Sequence, residues 1–130
     1  MMNGYQSYQD AAAQTASPAQ LVLMLFDGAI IRMERAARAL EDPRDLSAAH
    51  DSITRSQAII DELALSLDHE AGGAIAANLA SIYTYVGEQL VTANIDKRPE
   101  PILEAISHLT PLRDAWEDAC VKSPTAAAAG

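Results

Sequence analysis

The sequence has few aromatic residues and few basic ones. Phe, Trp and Tyr make up 5% of the 130 residues although hydrophobic residues make up 49%, so most of the apolar content is alanine, leucine and isoleucine. This composition favours helices packed on helices over a sheet rich in aromatic and β-branched residues. Nine Lys and Arg against eighteen Asp and Glu give a formal net charge of −9, which repels a phosphate backbone. We therefore expect no nucleic-acid partner.

The sequence also has one cysteine, no long hydrophobic run and no early positive charge. Cys120 alone cannot form an internal disulfide, which indicates a reducing compartment. The longest apolar stretch, residues 21–31, is interrupted by Asp27 and Gly28 and is too short to span a bilayer. No basic residue precedes Arg32, so the charged segment of a secretory signal is missing. We expect a cytoplasmic protein without membrane insertion.

A Ser-Pro-Ala-Gln segment marks the start of a first helix. Ser17 is the predicted N-cap and Gln20 its capping-box partner, with a proline at the first helical position between them. The helix is predicted to continue to about Glu41. It stops there because Asp42 precedes Pro43, and a residue before proline avoids the helical region.

Apolar residues in steps of three and four predict the second and third helices. The second covers residues 46–67 and the third covers residues 75–94. Residues 68–73 are predicted as their connection, since Gly72-Gly73 permits a tight turn. Asn94 is expected to end the third helix, because asparagine tolerates the left-handed conformation of many helix ends.

A fourth helix is predicted from about residue 99 to residue 122. Pro111 lies within it and predicts a kink or a brief break, because proline removes one hydrogen bond and clashes with the preceding turn. The fold class is therefore all-α, an antiparallel up-down-up-down four-helix bundle over residues 17–122. Residues 1–16 are predicted to be a short N-terminal arm that orders when it docks, and residues 123–130 a disordered tail.

No catalytic or metal-binding motif is present in the sequence. The residues three positions before the three histidines are two serines and an alanine, so the Glu-x-x-His pairs of di-metal bundles are absent. There is no HExxH, CxxC, EF-hand loop or phosphate-binding glycine loop. We expect a binding protein with no catalytic residues, no cofactor and no bound metal.

Two other functions remain open for a bundle of this kind. A phosphorelay carrier would use one exposed histidine, and His50 is the best candidate because it lies on the outer side of the second helix. The Asp51 that follows it argues against this use, since a like charge disfavours a phosphorylated imidazole. A structural bundle that forms a homodimer through an apolar flank is the second alternative.

The first helix has more apolar residues than a four-helix core requires. It opens with LVLMLF and continues with AII after Asp27-Gly28, so it is apolar on several sides. A helix of this kind has to be covered on more than one side. Either the other helices and the arm cover it, or the bundle has a groove that accepts a foreign helix or extended segment.

The sequence resembles the FliS-type flagellin-specific export chaperones. Five strings carry the resemblance in the expected order: TASPAQLVLMLFDGAI at 15–30, AIIDEL at 58–63, SLDHEAGGAIAANLASIYTYV at 66–86, LVTANI at 90–95 and LRDAWEDA at 112–119. The early GYQSYQ is also similar to the family's paired-aromatic N-terminal segment.

The resemblance implies a cytoplasmic helical bundle that binds the disordered C-terminal region of newly made flagellin and prevents its premature polymerisation. It also implies that the N-terminal arm covers part of the binding surface when the chaperone is empty. Tyr5 and Tyr8 match the family's aromatic positions, which are implicated in docking at the cytoplasmic domain of the flagellar export gate. A co-chaperone or a regulator of flagellar assembly is a further partner that the resemblance leaves open.

We assign the flagellin-binding groove to the second and third helices. Six residues are predicted to line it: Ile59, Leu63, Leu65, Leu79, Tyr83 and Val86. The same apolar stripes must also fill the core, so groove and core residues are not separated by the pattern alone.

Overall fold

The computed structural model describes residues 16–122, which form four α-helices and, within that range, no strand. The helices are α1 (Pro18–Ala39), α2 (Leu46–Leu65), α3 (His69–Asp96) and α4 (Glu100–Lys122), with a 3₁₀ turn at Pro43–Asp45 between α1 and α2. The predicted all-α four-helix fold is confirmed. The arm up to residue 15, including Tyr5 and Tyr8, and the tail at 123–130 lie outside the described residues.

The predicted start of α1 is confirmed in atomic detail. The backbone N–H of Gln20 donates to Ser17 Oγ over 3.2 Å, and Gln20 Oε1 accepts from the Ser17 N–H over 2.9 Å. This is the reciprocal capping box. The helix ends at Ala39, slightly before the predicted Glu41, and the Asp42 side chain then accepts from the N–H of Arg44 over 3.0 Å.

The boundaries of α3 differ from the prediction at both ends. The helix begins at His69, inside the predicted connection. It starts early because the Asp68 side chain accepts hydrogen bonds from the N–H groups of Glu70 and Ala71. Of the predicted Gly72-Gly73 turn, only Gly73 leaves the helical conformation, with φ 49° and ψ −122°. At the other end Lys97, not Asn94, adopts the left-handed conformation, with φ 55°.

Of the predicted kink or brief break at Pro111, the break is not observed, since α4 continues helically through it. Contacts on the C-terminal side of the proline hold the helix against α1. Arg113 Nε donates to Asp27 Oδ1 over 2.7 Å, and Trp116 Nε1 donates to the Ala19 carbonyl over 2.8 Å. These contacts compensate for the one backbone hydrogen bond that a proline cannot make.

Each helix packs against its neighbours in sequence, and α4 closes the ring by packing on α1. The Ala19–Trp116 and Asp27–Arg113 contacts mean that α1 and α4 run in opposite directions. His50 near the start of α2 contacts Asn94 near the end of α3. This order of contacts agrees with the predicted up-down-up-down arrangement.

The core combines residues of all four helices, and small side chains occupy many of its central positions. Within residues 16–122, five alanines have no exposed surface: Ala29, Ala36, Ala49, Ala93 and Ala105. The distance between packed helices depends on the side chains at the contact, so alanine permits a close approach. Close packing of this kind explains how a bundle with so few aromatic residues excludes water from its interior.

Candidate binding surface

An apolar cavity of about 390 Å³ opens at one end of the bundle. It lies among the first turns of α1, the start of α3, the second half of α4 and the α2–α3 connection. Its large aliphatic and aromatic lining residues include Val22, Phe26, Leu67, Ile75, Leu79, Leu112 and Trp116. Native cores contain few voids larger than a water molecule, whereas sites for apolar ligands have volumes in this range.

Small residues create this cavity. Ala71, Gly72 and Ala76 of α3 face it, as do Ala115 and Ala119 of α4. A Cβ atom at Gly72 would lie 2.9 Å from the Ala76 Cβ, which is closer than side-chain carbons approach each other. The wall therefore depends on a glycine at this position, and the lack of larger side chains on α3 and α4 leaves the space open.

Exposed apolar side chains occur at the same end of the bundle. Ile75 lines the cavity and is 74% exposed, and Leu65, the last residue of α2, is 83% exposed. The described chain also begins here, since Ala19 contacts the cavity residue Trp116. This end of the molecule thus combines a concave apolar surface with accessible leucine and isoleucine, which is typical of an interaction site.

A second groove, of about 650 Å³, lies between α2 and α3. We call it the acidic groove, because the exposed carboxylates Asp61 and Glu88 line it. Gln57, Thr84 and Thr92 add further polar side chains, and Ile60, Ala64, Gly87 and Val91 are its apolar part. Although it is larger, its mixed lining favours water more than the apolar cavity does.

Tyr83 lines both the apolar cavity and the acidic groove. It is 4% exposed, and its ring centroid lies 6.4 Å from that of Phe26 in a tilted arrangement. Burial raises the pKa of the phenol to about 12. The side chain is therefore neutral at physiological pH and forms the partition between the two surfaces.

The structure places the six predicted groove residues in different environments. Leu79 and Tyr83 line the apolar cavity. Leu63 and Val86 have no exposed surface and belong to the core, because their positions on α2 and α3 point to the bundle centre. Both are therefore core residues in this structure, and their assignment to a client groove stays a prediction.

The other two predicted residues lie outside both concave surfaces. Ile59 packs against the core, and its Cδ1 lies 3.5 Å from where a Cβ on Gly28 would be. Leu65 is exposed at the end of α2 but is not part of the cavity wall.

The prediction missed the contributions of α1 and α4 to the cavity. Val22 and Phe26 of α1 lie within the LVLMLF run, whose excess of apolar residues was the signal that could have placed them there. For Leu112 and Trp116 of α4, the sequence indicated a place in the cavity less clearly. The only tryptophan of the chain stands there among alanines, a combination that leaves space beside a large side chain.

His50 has a packing contact in the structure. Its Nδ1 lies 3.0 Å from Asn94 Nδ2, and Asn94 Oδ1 accepts from Lys97 Nζ over 2.8 Å. The histidine thus links the start of α2 to the end of α3.

Two features are absent from residues 16–122. No helix in this part of the chain is long and apolar enough to cross a membrane. Over the same residues, no three His, Cys, Asp or Glu side chains lie close enough together to hold a metal ion.

Comparison with known proteins identifies the family. The model of the family described as flagellar protein FliS matches residues 1–123. A flagellar secretion chaperone FliS from Bacillus subtilis is 32% identical over 119 residues, which are 92% of this chain and 87% of the relative. The protein of the same name from Salmonella typhimurium is 36% identical over 115 residues, 88% of this chain and 84% of the relative. The chain therefore belongs to the FliS family of flagellar secretion chaperones.

Proposed function

We propose that this protein is a cytoplasmic chaperone that binds the disordered C-terminal region of flagellin, prevents its premature polymerisation and delivers it to the flagellar export gate. The observation that carries the proposal is the apolar cavity, with exposed Ile75 and nearby Leu65, at one end of a four-helix bundle. Relatives covering most of the chain are named flagellar secretion chaperones.

The chemistry of the cavity suits a segment that is disordered when free. Such a segment loses conformational entropy when it binds, so it needs a preformed apolar surface to compensate for the loss. Val22, Leu79 and Trp116 belong to three different helices, and the contacts between α1 and α4 fix their wall in advance. The client then folds against a surface that already exists.

The N-terminal arm is proposed to cover the cavity when no client is bound. Residue 16 is the first described residue, and Ala19, three positions later, contacts Trp116 in the cavity wall. An arm attached at this point reaches the cavity without a long connection. Flagellin would displace it, and the freed Tyr5 and Tyr8 would then dock at the cytoplasmic domain of the export gate.

The arm mechanism is tested with Tyr8→Ala. We expect this variant to bind flagellin as the wild type does and to bind the export gate more weakly, because only the second contact uses the tyrosine. Pull-down with the gate domain and titration with flagellin measure the two. Equal loss of both interactions would contradict the mechanism.

The binding function is tested by calorimetric titration with a synthetic peptide of the C-terminal region of the flagellin from the same organism. We expect a one-to-one complex with a negative heat-capacity change, since binding buries apolar surface and orders the peptide. A peptide from the central part of the same flagellin is the control. No heat of binding, with the chaperone folded and the peptide soluble, would contradict the proposed function.

A further inference from the structure

The hydroxyl of Tyr83 is a polar group on a largely buried side chain. The residue is 4% exposed, and its ring packs against Phe26 on the opposite side of the core. Among residues 16–122, this hydroxyl makes no hydrogen bond, whereas the Tyr85 hydroxyl donates to Glu104 Oε1 over 3.1 Å. Buried tyrosines usually find a partner for the O–H.

The unpartnered hydroxyl is also accessible. Every fully buried side-chain nitrogen or oxygen in residues 16–122 has a hydrogen-bond partner, so the unpaired Tyr83 oxygen must retain some exposed surface. The surfaces that Tyr83 contributes to are the apolar cavity and the acidic groove. Its hydroxyl oxygen is therefore a polar group at the edge of a concave surface.

A phenylalanine would fill the same position without this polar group. The hydroxyl makes no hydrogen bond within residues 16–122, so no such bond stabilises the empty bundle. Burial raises the pKa of the phenol to about 12. The group is consequently a neutral donor over the whole physiological pH range.

We propose that Tyr83 is a specificity-determining residue whose hydroxyl donates a hydrogen bond to a backbone carbonyl of the client segment in the apolar cavity. This inference rests on the proposed function. A carbonyl in the interior of a helix already accepts from the N–H four residues later. The carbonyl that Tyr83 binds belongs to an extended stretch or to the last turn of a client helix, where carbonyls are free.

The consequence is a geometric requirement on the client. Apolar contacts with Leu79 and Trp116 accept many sequences, because they are not directional. A buried hydroxyl that needs an acceptor is directional, and it discriminates against a segment that stays helical where it passes the tyrosine. Tyr83 thus selects where along the client the helix stops.

The test compares Tyr83→Phe with wild type, using the flagellin C-terminal peptide as the probe. We expect the variant to bind about 2- to 13-fold more weakly, the range for one neutral hydrogen bond. The melting temperature of the empty variant should be unchanged or higher. Tyr85→Phe is the matched control, since it removes a hydroxyl that lies outside both concave surfaces, and it should bind the peptide as wild type does.

A second measurement does not depend on a variant. The Tyr83 hydroxyl proton should give a resolved proton NMR signal in the complex and none in the free protein, because a hydrogen bond slows its exchange with water. Equal affinity of wild type and Tyr83→Phe, with no such signal, would overturn the inference. Loss of wild-type binding would instead contradict the proposed function, so the two failures are distinguishable.

Discussion

The apolar cavity and the acidic groove share helix α3 but differ in the helices that complete them. On one side α3 meets the first turns of α1 and the end of α4, and the lining is largely apolar. On the other side it meets α2, and Asp61 and Glu88 stand among the lining residues. The same helix therefore presents two chemically different surfaces, and within residues 16–122 Tyr83 alone lines both.

This difference shows what makes a concave surface suitable for an apolar client. The acidic groove is the larger of the two, at about 650 Å³ against about 390 Å³. Volume does not decide affinity, because polar side chains in a groove must give up water when a ligand covers them. The apolar cavity loses little hydration on binding, so we assign the client to the smaller surface.

The largest expected effect comes from a charge placed in the cavity. Leu79→Glu puts a carboxylate where the client buries apolar surface, and we expect affinity for the flagellin peptide to fall at least ~100-fold. Val91→Glu is the matched variant in the acidic groove, and it should change affinity less than ~3-fold. Calorimetric titration measures both, with circular dichroism as the check of folding. The reverse pattern would exchange the roles of the two surfaces.

Glycine-to-alanine substitutions distinguish the cavity wall from the ordinary helix interior. Gly72→Ala should lower the free energy of unfolding by about 1–3 kcal/mol, because the new Cβ would lie 2.9 Å from the Ala76 Cβ. Gly28→Ala meets only Ile59 Cδ1 at 3.5 Å. It should raise stability by about 0.5–1 kcal/mol through helix propensity. Urea unfolding measures both free energies. Equal effects of the two substitutions would contradict a close contact at Gly72 in the cavity wall.

Tyr83, which separates the two surfaces, makes the stability of the protein depend on pH in the alkaline range. Burial raises the Tyr83 pKa from 10.0 to about 12 in the folded protein. Above pH 10 the unfolded chain therefore releases this proton first, and stability falls as pH rises from 10 to about 12, by about 1 kcal/mol per pH unit. Tyr83→Phe should flatten this part of the stability curve. An unchanged slope in the variant would contradict the burial of a neutral phenol.

The smallest effect concerns the ion pair that holds α4 against α1 beside the cavity. Arg113 contacts Asp27, Asp114 and Glu117, and its side chain is 24% exposed. Asp27→Asn should cost about 0.5–1 kcal/mol, since two carboxylates remain for the arginine. Asp61→Asn in the acidic groove should change stability by less than ~0.5 kcal/mol. A larger loss from Asp61→Asn would mean that the acidic groove has a structural role.

The sequence was most informative where local chemistry decides the structure. The capping box at Ser17 and the apolar repeats predict α1, α2 and most of α3 without any knowledge of packing. Pro111 shows the limit of local rules, because contacts of Arg113 and Trp116 with α1 keep α4 continuous. Tertiary contacts there outweigh a local preference.

The cavity was harder to predict than the helices. Leu63 and Val86 belong to the same stripes as candidate groove residues, and a stripe does not state how far each position lies from the bundle axis. The cavity also needs Gly72, Ala115 and Ala119 to be small on two helices that are distant in sequence. An absence of side-chain volume leaves no periodic signal, so only the packed structure reveals it.

Trp116 permits a direct test of the central claim, that the client occupies the apolar cavity. It is the only tryptophan in the chain and lines that cavity, so its fluorescence reports on this site alone. Titration with the flagellin C-terminal peptide should change its emission and saturate at one peptide per chain, in wild type and in Val91→Glu but not in Leu79→Glu. Calorimetric binding of the peptide with no change in Trp116 emission would place the client elsewhere and contradict the account.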